Sequence, residues 1–181
     1  MNGDVLSCQP RNDGSRIHRI AADGSTSTQD WNTSLLLDEC TALAVDPAAP
    51  GYAWVGGDAD GAERLAVMRL AASGGFVDAW GTDSDRFVAP EDSGLVIARR
   101  LAASDGKLVV AAEAKVGGEA HLAVARLSSL GLLDTTFATK GYVTLKAGGK
   151  PSTTKTMALD ALGRIVVAGT NGSGVAARFW P

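Results

Sequence analysis

Ser104–Ala112 reads SDGKLVVAA and Ala161–Gly169 reads ALGRIVVAG, two copies of one short segment that decide the fold. A third copy, APGYAWVGG, runs from 49 to 57, and a fainter one, NGDVLSC, from 2 to 8. Their glycines, Gly3, Gly51, Gly106 and Gly163, lie 48, 55 and 57 residues apart. A second segment keeps step with the first: SRIHRIAADG, RLAVMRLAASG, HLAVARLSSLG and VAARFWP, with Arg19, Arg69, Arg126 and Arg178 separated by 50, 57 and 52. Two anchors that drift together define a repeat of roughly fifty residues.

Each glycine-anchored run is five or six apolar, often β-branched residues bounded by turn formers. That is a buried strand, because a helix needs ten or more. In His121–Leu127 one face carries Leu122, Val124 and Arg126 and the other Ala123, Ala125 and Leu127. Both faces are largely apolar, whereas a sheet with one wet face alternates apolar with polar. Sheets covered on both sides and joined by short turns are the blades of a propeller. The unit is completed by an aromatic after the arginine (Trp31, Trp80, Phe137), an extended stretch such as GYVTL at 141–145, and an apolar piece before each glycine: TALAVD, VIARRLAA and TMALD.

We name the strands a (TMALD type), b (glycine-anchored), c (arginine-anchored) and d (GYVTL type). The fold expected is all-β: a β-propeller, or a propeller segment of about four blades, built from antiparallel four-stranded repeats. The 181 residues divide into units of roughly 1–40, 41–94, 95–150 and 151–181. The order opens on b and stops on c, so the first blade lacks its a strand and the last its d strand. Open strand edges are normally covered, and the cover expected here is a second copy completing the propeller or the rest of a longer chain.

The third unit, with DGKLVVAA, LAVARL, SLGLLDTTF and GYVTL, resembles the delta-60 repeat family of β-propeller modules in large bacterial surface or secreted proteins. ALGRIVVAG repeats the likeness in the fourth unit and ASGGFVDAWG more loosely in the second. The resemblance implies a propeller and a bacterial envelope or extracellular location. It carries almost no functional residues, because its characteristic positions are turns and core.

Composition narrows the rest. Net charge is −3, with no basic stripe of the kind a nucleic-acid binder shows. No apolar run is long enough to cross a bilayer as a helix, and the first residues carry no secretory signal pattern. No GxSxG elbow, Cys–His pairing or phosphate loop is present, so no catalytic, cofactor or metal residue is assigned and no cofactor is expected. Arg19, Arg69 and Arg126 are followed by Asp30, Asp78 and Asp134, which reads as a repeated Arg–Asp pair or an arginine bond to turn carbonyls. His18 aligns with Met68, Ala125 and Ala177, a blade-packing position; His121 begins its strand. Asp58, Asp60 and Glu63 alternate like calcium ligands but lack the full loop, so a polar hairpin tip is expected. Cys8 aligns with the small residues Gly56, Ala111 and Ala168, and Cys40 lies just before the next a strand. They are two small buried thiols or a bridge between neighbouring blades.

The function expected is a non-catalytic scaffold or binding module for protein or glycan contacts. The alternatives are a hydrolase or lyase using a central channel, for which the inner strands offer little beyond Arg99 and Arg100, or a purely structural repeat segment.

Overall fold

A computed structural model of the chain describes residues 5–11, 14–20, 23, 25–32, 37–49, 51–59, 61, 63–71, 73, 75–77, 79–83 and 86–180, with the backbone alone at 10, 11, 14 and 26–32. Among these residues fourteen strands form four antiparallel sheets. The first holds β1 (Val5–Arg11), β2 (Gly14–Ile20) and β3 (Thr26–Asn32); the second β4 (Glu39–Val45), β5 (Ala53–Ala59), β6 (Arg64–Leu70) and β7 (Arg86–Val88). The third holds β8 (Leu95–Ser104), β9 (Lys107–Val116), β10 (Glu119–Leu127) and β11 (Tyr142–Leu145); the fourth β12 (Thr153–Leu159), β13 (Ile165–Thr170) and β14 (Gly174–Phe179). Within each sheet neighbours in sequence are neighbours in space. The four are blades with strand contents bcd, abcd, abcd and abc, as the repeat predicts. No pairing joins the first sheet to the fourth among the described residues, so this is an open β-propeller segment.

Successive blades pack face to face, and this is why their strands are apolar on both sides. Leu6, Cys8 and Ile17 of the first meet Val55, Ala66 and Met68 of the second. Trp54, Leu65 and Val67 on the second blade's other face meet Leu108, Val110, Ala112 and Ala125 of the third. Val109, Ala111 and Val124 then meet Ile165 and Val167 of the fourth. Burial at these junctions supplies the dominant stabilisation, at ~25 cal/mol per Å² of apolar surface.

Close approach at the junctions selects small residues. A Cβ added to Gly56 would stand 2.9 Å from that of Ala98. At the first junction the equivalent positions are Cys8 and Cys40, and they form a disulfide that ties β1 to β4. Polar bonds cross the other two junctions: the Thr41 hydroxyl of the second blade donates to Ala98 O of the third, and Thr154 Oγ1 of the fourth donates to Ala112 O of the third at 2.6 Å.

Every a strand bulges at one equivalent place, and β8 has a second irregularity at Val96. Thr41 in β4, Arg99 in β8 and Lys155 in β12 are each left without a partner between two paired residues. Beside two of the bulges stand Gly57 and Gly169, whose added Cβ would lie 1.6 Å from Glu39 O and 1.9 Å from Thr153 O; at the third bulge the equivalent residue is Ala112. No side chain relieves a collision with a carbonyl, so the backbone must shift. Gly57→Ala is therefore expected to destabilise by about 1–3 kcal/mol in urea unfolding, whereas Gly75→Ala, where a Cβ meets nothing within 4 Å, should leave the midpoint near wild type.

The two terminal faces differ. On the first blade Ser7, Gln9, Arg16 and His18 occupy the register positions held by Val55, Gly57, Ala66 and Met68 in the second. Its outward face is polar, as in the capping units of repeat proteins. On the fourth blade Val166, Ala168 and Ala176 repeat the positions of Val109, Ala111 and Val124, so its outward face keeps the apolar character of an internal one.

Candidate functional site

The a–b and c–d turns gather at one end of the blades, where the arginine-anchored strands finish. Asp134 in the third c–d turn is the best-partnered acid there. Its Oδ2 accepts from Arg126 Nε at 2.7 Å and Lys107 Nζ at 2.6 Å; its Oδ1 accepts from Thr136 N at 3.1 Å and Thr136 Oγ1 at 2.7 Å. Both Asp134 and Arg126 are buried. Burial pushes the carboxyl upward, but the hydrogen bonds from Lys107 and Thr136 and the Arg126 charge outweigh it, holding Asp134 well below the ordinary aspartate range. The guanidinium also stacks 5.0 Å from the Phe137 ring, so the aromatic after the turn is part of the same cluster.

The Arg126–Asp134 pair is the one the spacing anticipates. Arg69 has another acid within reach. It reaches Asp46 in the a–b turn, Nη2 to Oδ2 at 2.7 Å, and stacks over Tyr52 at 4.6 Å. The reason is turn length: the second unit's VDPAAPG turn leaves an aspartate straight after the a strand, whereas the third closes its hairpin with Asp105-Gly106 alone. Asp78 lies outside the described residues, as does the Asp30 side chain. In the fourth blade Asp160 takes Arg164 at 2.5 Å, and Arg164 and Arg178 lie 5.3 and 5.9 Å from the Trp180 ring. Sequence reading missed Lys107, Asp46 and Trp180; the LDALGR and VDPAAPG turns held the signal, since each places an acid where a–b geometry turns it back on its own blade.

Between the third and fourth blades this end opens into a crevice of about 70 Å³ lined by Ser104, Asp105, Lys107, Val109, Arg126, Gly163 and Ile165. Among the described residues the exposed large apolar side chains are Val5, Val45, Leu130, Leu132, Leu162, Trp180 and Val116, and all but Val116 sit at the turn end of one or another blade. Leu162 and Trp180 are 68% and 66% exposed, so the segregation is not an accident of one half-buried residue.

The other sequence candidates lie elsewhere. His18 keeps its register position but faces outward from the first blade, with Nε2 3.2 Å from Gln9 Oε1. His121 is on β10, at the opposite end. Asp58 is buried and accepts from Glu39 N at 2.9 Å, while Asp38 Oδ2 accepts from Gly61 N at 2.7 Å. Burial raises the Asp58 carboxyl, helped by the Glu39 and Asp38 charges and opposed by the Glu39 N–H. These carboxylates tie down a hairpin tip; Asp60 lies outside the described residues. No group of three or more His, Cys, Asp or Glu placed to hold a metal occurs among the described residues. Arg99 pairs with Glu113 at 3.1 Å, and Arg100 donates to Arg99 O at 2.6 Å. No helix among the described residues is long and apolar enough to cross a membrane.

No curated protein matches the chain. Residues 103–137, which span the third blade from the end of β8 through the c–d turn holding Asp134, match a family model described as "Domain of unknown function (DUF5122) beta-propeller", and the repeat that builds these blades is thereby similar to β-propeller repeats.

Proposed function

We propose that the chain is a non-catalytic propeller module that makes protein or glycan contacts through the turn end of its blades, with a repeat of the delta-60 type. The observation that carries this is that, among the described residues, the exposed side chains of Val5, Val45, Leu130, Leu132, Leu162 and Trp180 lie at the turn end and that of Val116 at the other. Exposed apolar surface rimmed by charge marks contact sites, and Arg164 and Arg178 provide that rim. The side chains at the three inner-strand bulges, Thr41, Arg99 and Lys155, are a hydroxyl and two cations, with no carboxylate or imidazole among them. A disulfide is retained in oxidising compartments, which supports an envelope or extracellular location.

A screen on a glycan array and an immobilised peptide library tests the reading. Any ligand found should be lost by the Leu162→Asp/Trp180→Ser double variant and kept by Val116→Ser at the far end. Equal loss in both variants sinks the assignment of the turn end.

A further inference from the structure

We infer that the crevice between the third and fourth blades receives an acidic side chain of a partner polypeptide, its carboxylate against Arg126 and Lys107 and its methylene stem between Val109 and Ile165. This rests on the reading of the turn end as a contact surface and specifies the chemistry that one part of it takes.

Two junctions of the same design differ here. Each carries the repeat's arginine on a c strand, paired in register with a b-strand residue: Arg69 with Trp54, and Arg126 with Val109. At the second junction the Arg69 guanidinium is covered by the Tyr52 and Trp54 rings, 4.6 and 5.8 Å away. Lys107 and Val109 stand where those aromatics stand in the repeat. A valine in place of an indole leaves volume beside the arginine, and a lysine in place of a phenol adds a second cation to the wall. The resulting crevice of about 70 Å³ is several times the ~10–15 Å³ that admits one water.

Its polar side is rich in donors and short of acceptors. Arg126 donates from Nε to Asp134 and from Nη2 to Thr136, which leaves Nη1 with no partner among the described residues. Lys107 uses one of its three N–H groups, on Asp134. Asp134 has both oxygens engaged, Oδ2 by the two cations and Oδ1 by Thr136. Two cations therefore share one carboxylate, and buried Arg126 draws little compensation from water. Asp105 also lines the crevice but is exposed, so water screens its charge. A second carboxylate completes the set, because it is acceptor-only and makes charge-assisted bonds with both cations. Buried Val109 and Ile165 give the crevice apolar walls. Methylenes fit between them without loss, whereas the hydroxyls of a uronic acid ring would give up their water there and gain no partner. The crevice thus selects an acidic peptide over an acidic glycan.

The probe is the capped tripeptide acetyl-Gly-Glu-Gly-amide, titrated into the full chain labelled at its valine and isoleucine methyls. Saturable shifts at Val109 and Ile165 are expected, with a Kd of roughly millimolar order. The glutamine analogue should bind the wild-type chain about tenfold more weakly or worse, a comparison that depends on no variant folding. Lys107→Met should weaken the glutamate peptide about tenfold with a near-wild-type melting temperature. Val109→Trp, which restores the aromatic of the second junction, should abolish binding by filling the space. Equal binding of the two peptides, absence of saturation well above millimolar peptide, or glucuronate binding more tightly than the glutamate peptide overturns the proposal. Binding that survives Lys107→Met but disappears in Leu162→Asp/Trp180→Ser also overturns it, while leaving the turn-end reading in place.

Discussion

Asp134→Ala is expected to cost about 3–5 kcal/mol of folding stability, one of the two largest losses from a change to a single interaction in this chain. The carboxylate accepts from Arg126, Lys107 and Thr136, and the residue left behind decides the magnitude. Arg126 is 8% exposed and packs against Phe137, so its charge is largely shielded from water once Asp134 is gone. Lys107 is about one-third exposed and can turn outward, which is why the loss follows the guanidinium and not the ammonium. Arg126→Met with Asp134→Ala removes both buried charges and should recover much of the loss; Lys107→Met should cost about 1 kcal/mol or less. The pH dependence has a definite sign. Asp134 titrates lower in the folded protein than unfolded, so its contribution is fully present above the unfolded aspartate value near ~4 and fades as pH falls from there toward the depressed folded value. Urea unfolding of wild type and Asp134→Asn at a series of pH values below ~5 reads this directly. The gap between them should narrow with acid; a constant gap sinks the assignment.

The fold was legible because the repeat is written in residues whose roles are local. Gly106 and Gly163 mark a–b turns, and the runs LVVAA and IVVAG have to be buried on both faces. Arg126–Asp134 was legible for the same reason, lying eight residues apart across one turn. The Arg69–Asp46 pair was not, because it joins a c strand to the a–b turn of its blade and its formation depends on the length of that turn. The bulges at Thr41, Arg99 and Lys155 were also invisible: one extra residue in a strand changes no composition and shifts repeat spacing no more than a longer loop does. The turn-end surface escaped for another reason. Leu130, Leu162 and Trp180 look like ordinary apolar residues in sequence, and only the packing shows that no neighbouring blade covers them.

The Cys8–Cys40 disulfide makes the second large expected effect, because of where it sits in an incomplete ring. Among the described residues the first sheet holds b, c and d strands, its outward face is polar, and its apolar grip on the second blade is Leu6, Cys8 and Ile17. Internal blades are held on both faces; this one is held on one. The bridge spans a sequence separation of 32, and closing a loop of that size removes unfolded-chain entropy worth about 4 kcal/mol. Cys8→Ser/Cys40→Ser should therefore lose about 3–4 kcal/mol, or the same from the wild type after treatment with a dithiol reductant. The loss is not expected to spread evenly. β8, β9 and β10 sit between two complete junctions and do not depend on the staple, so hydrogen exchange should rise first in β1 and β2 while the Val109–Ala112 and Leu122–Ala125 amides keep their protection. Release of the first blade would also bare Val55, Ala66 and Met68, now fully buried, and a hydrophobic dye should report it. If the double variant unfolds at the wild-type urea midpoint, or all four blades lose protection together, the staple does not act as a local device at the open end of the segment.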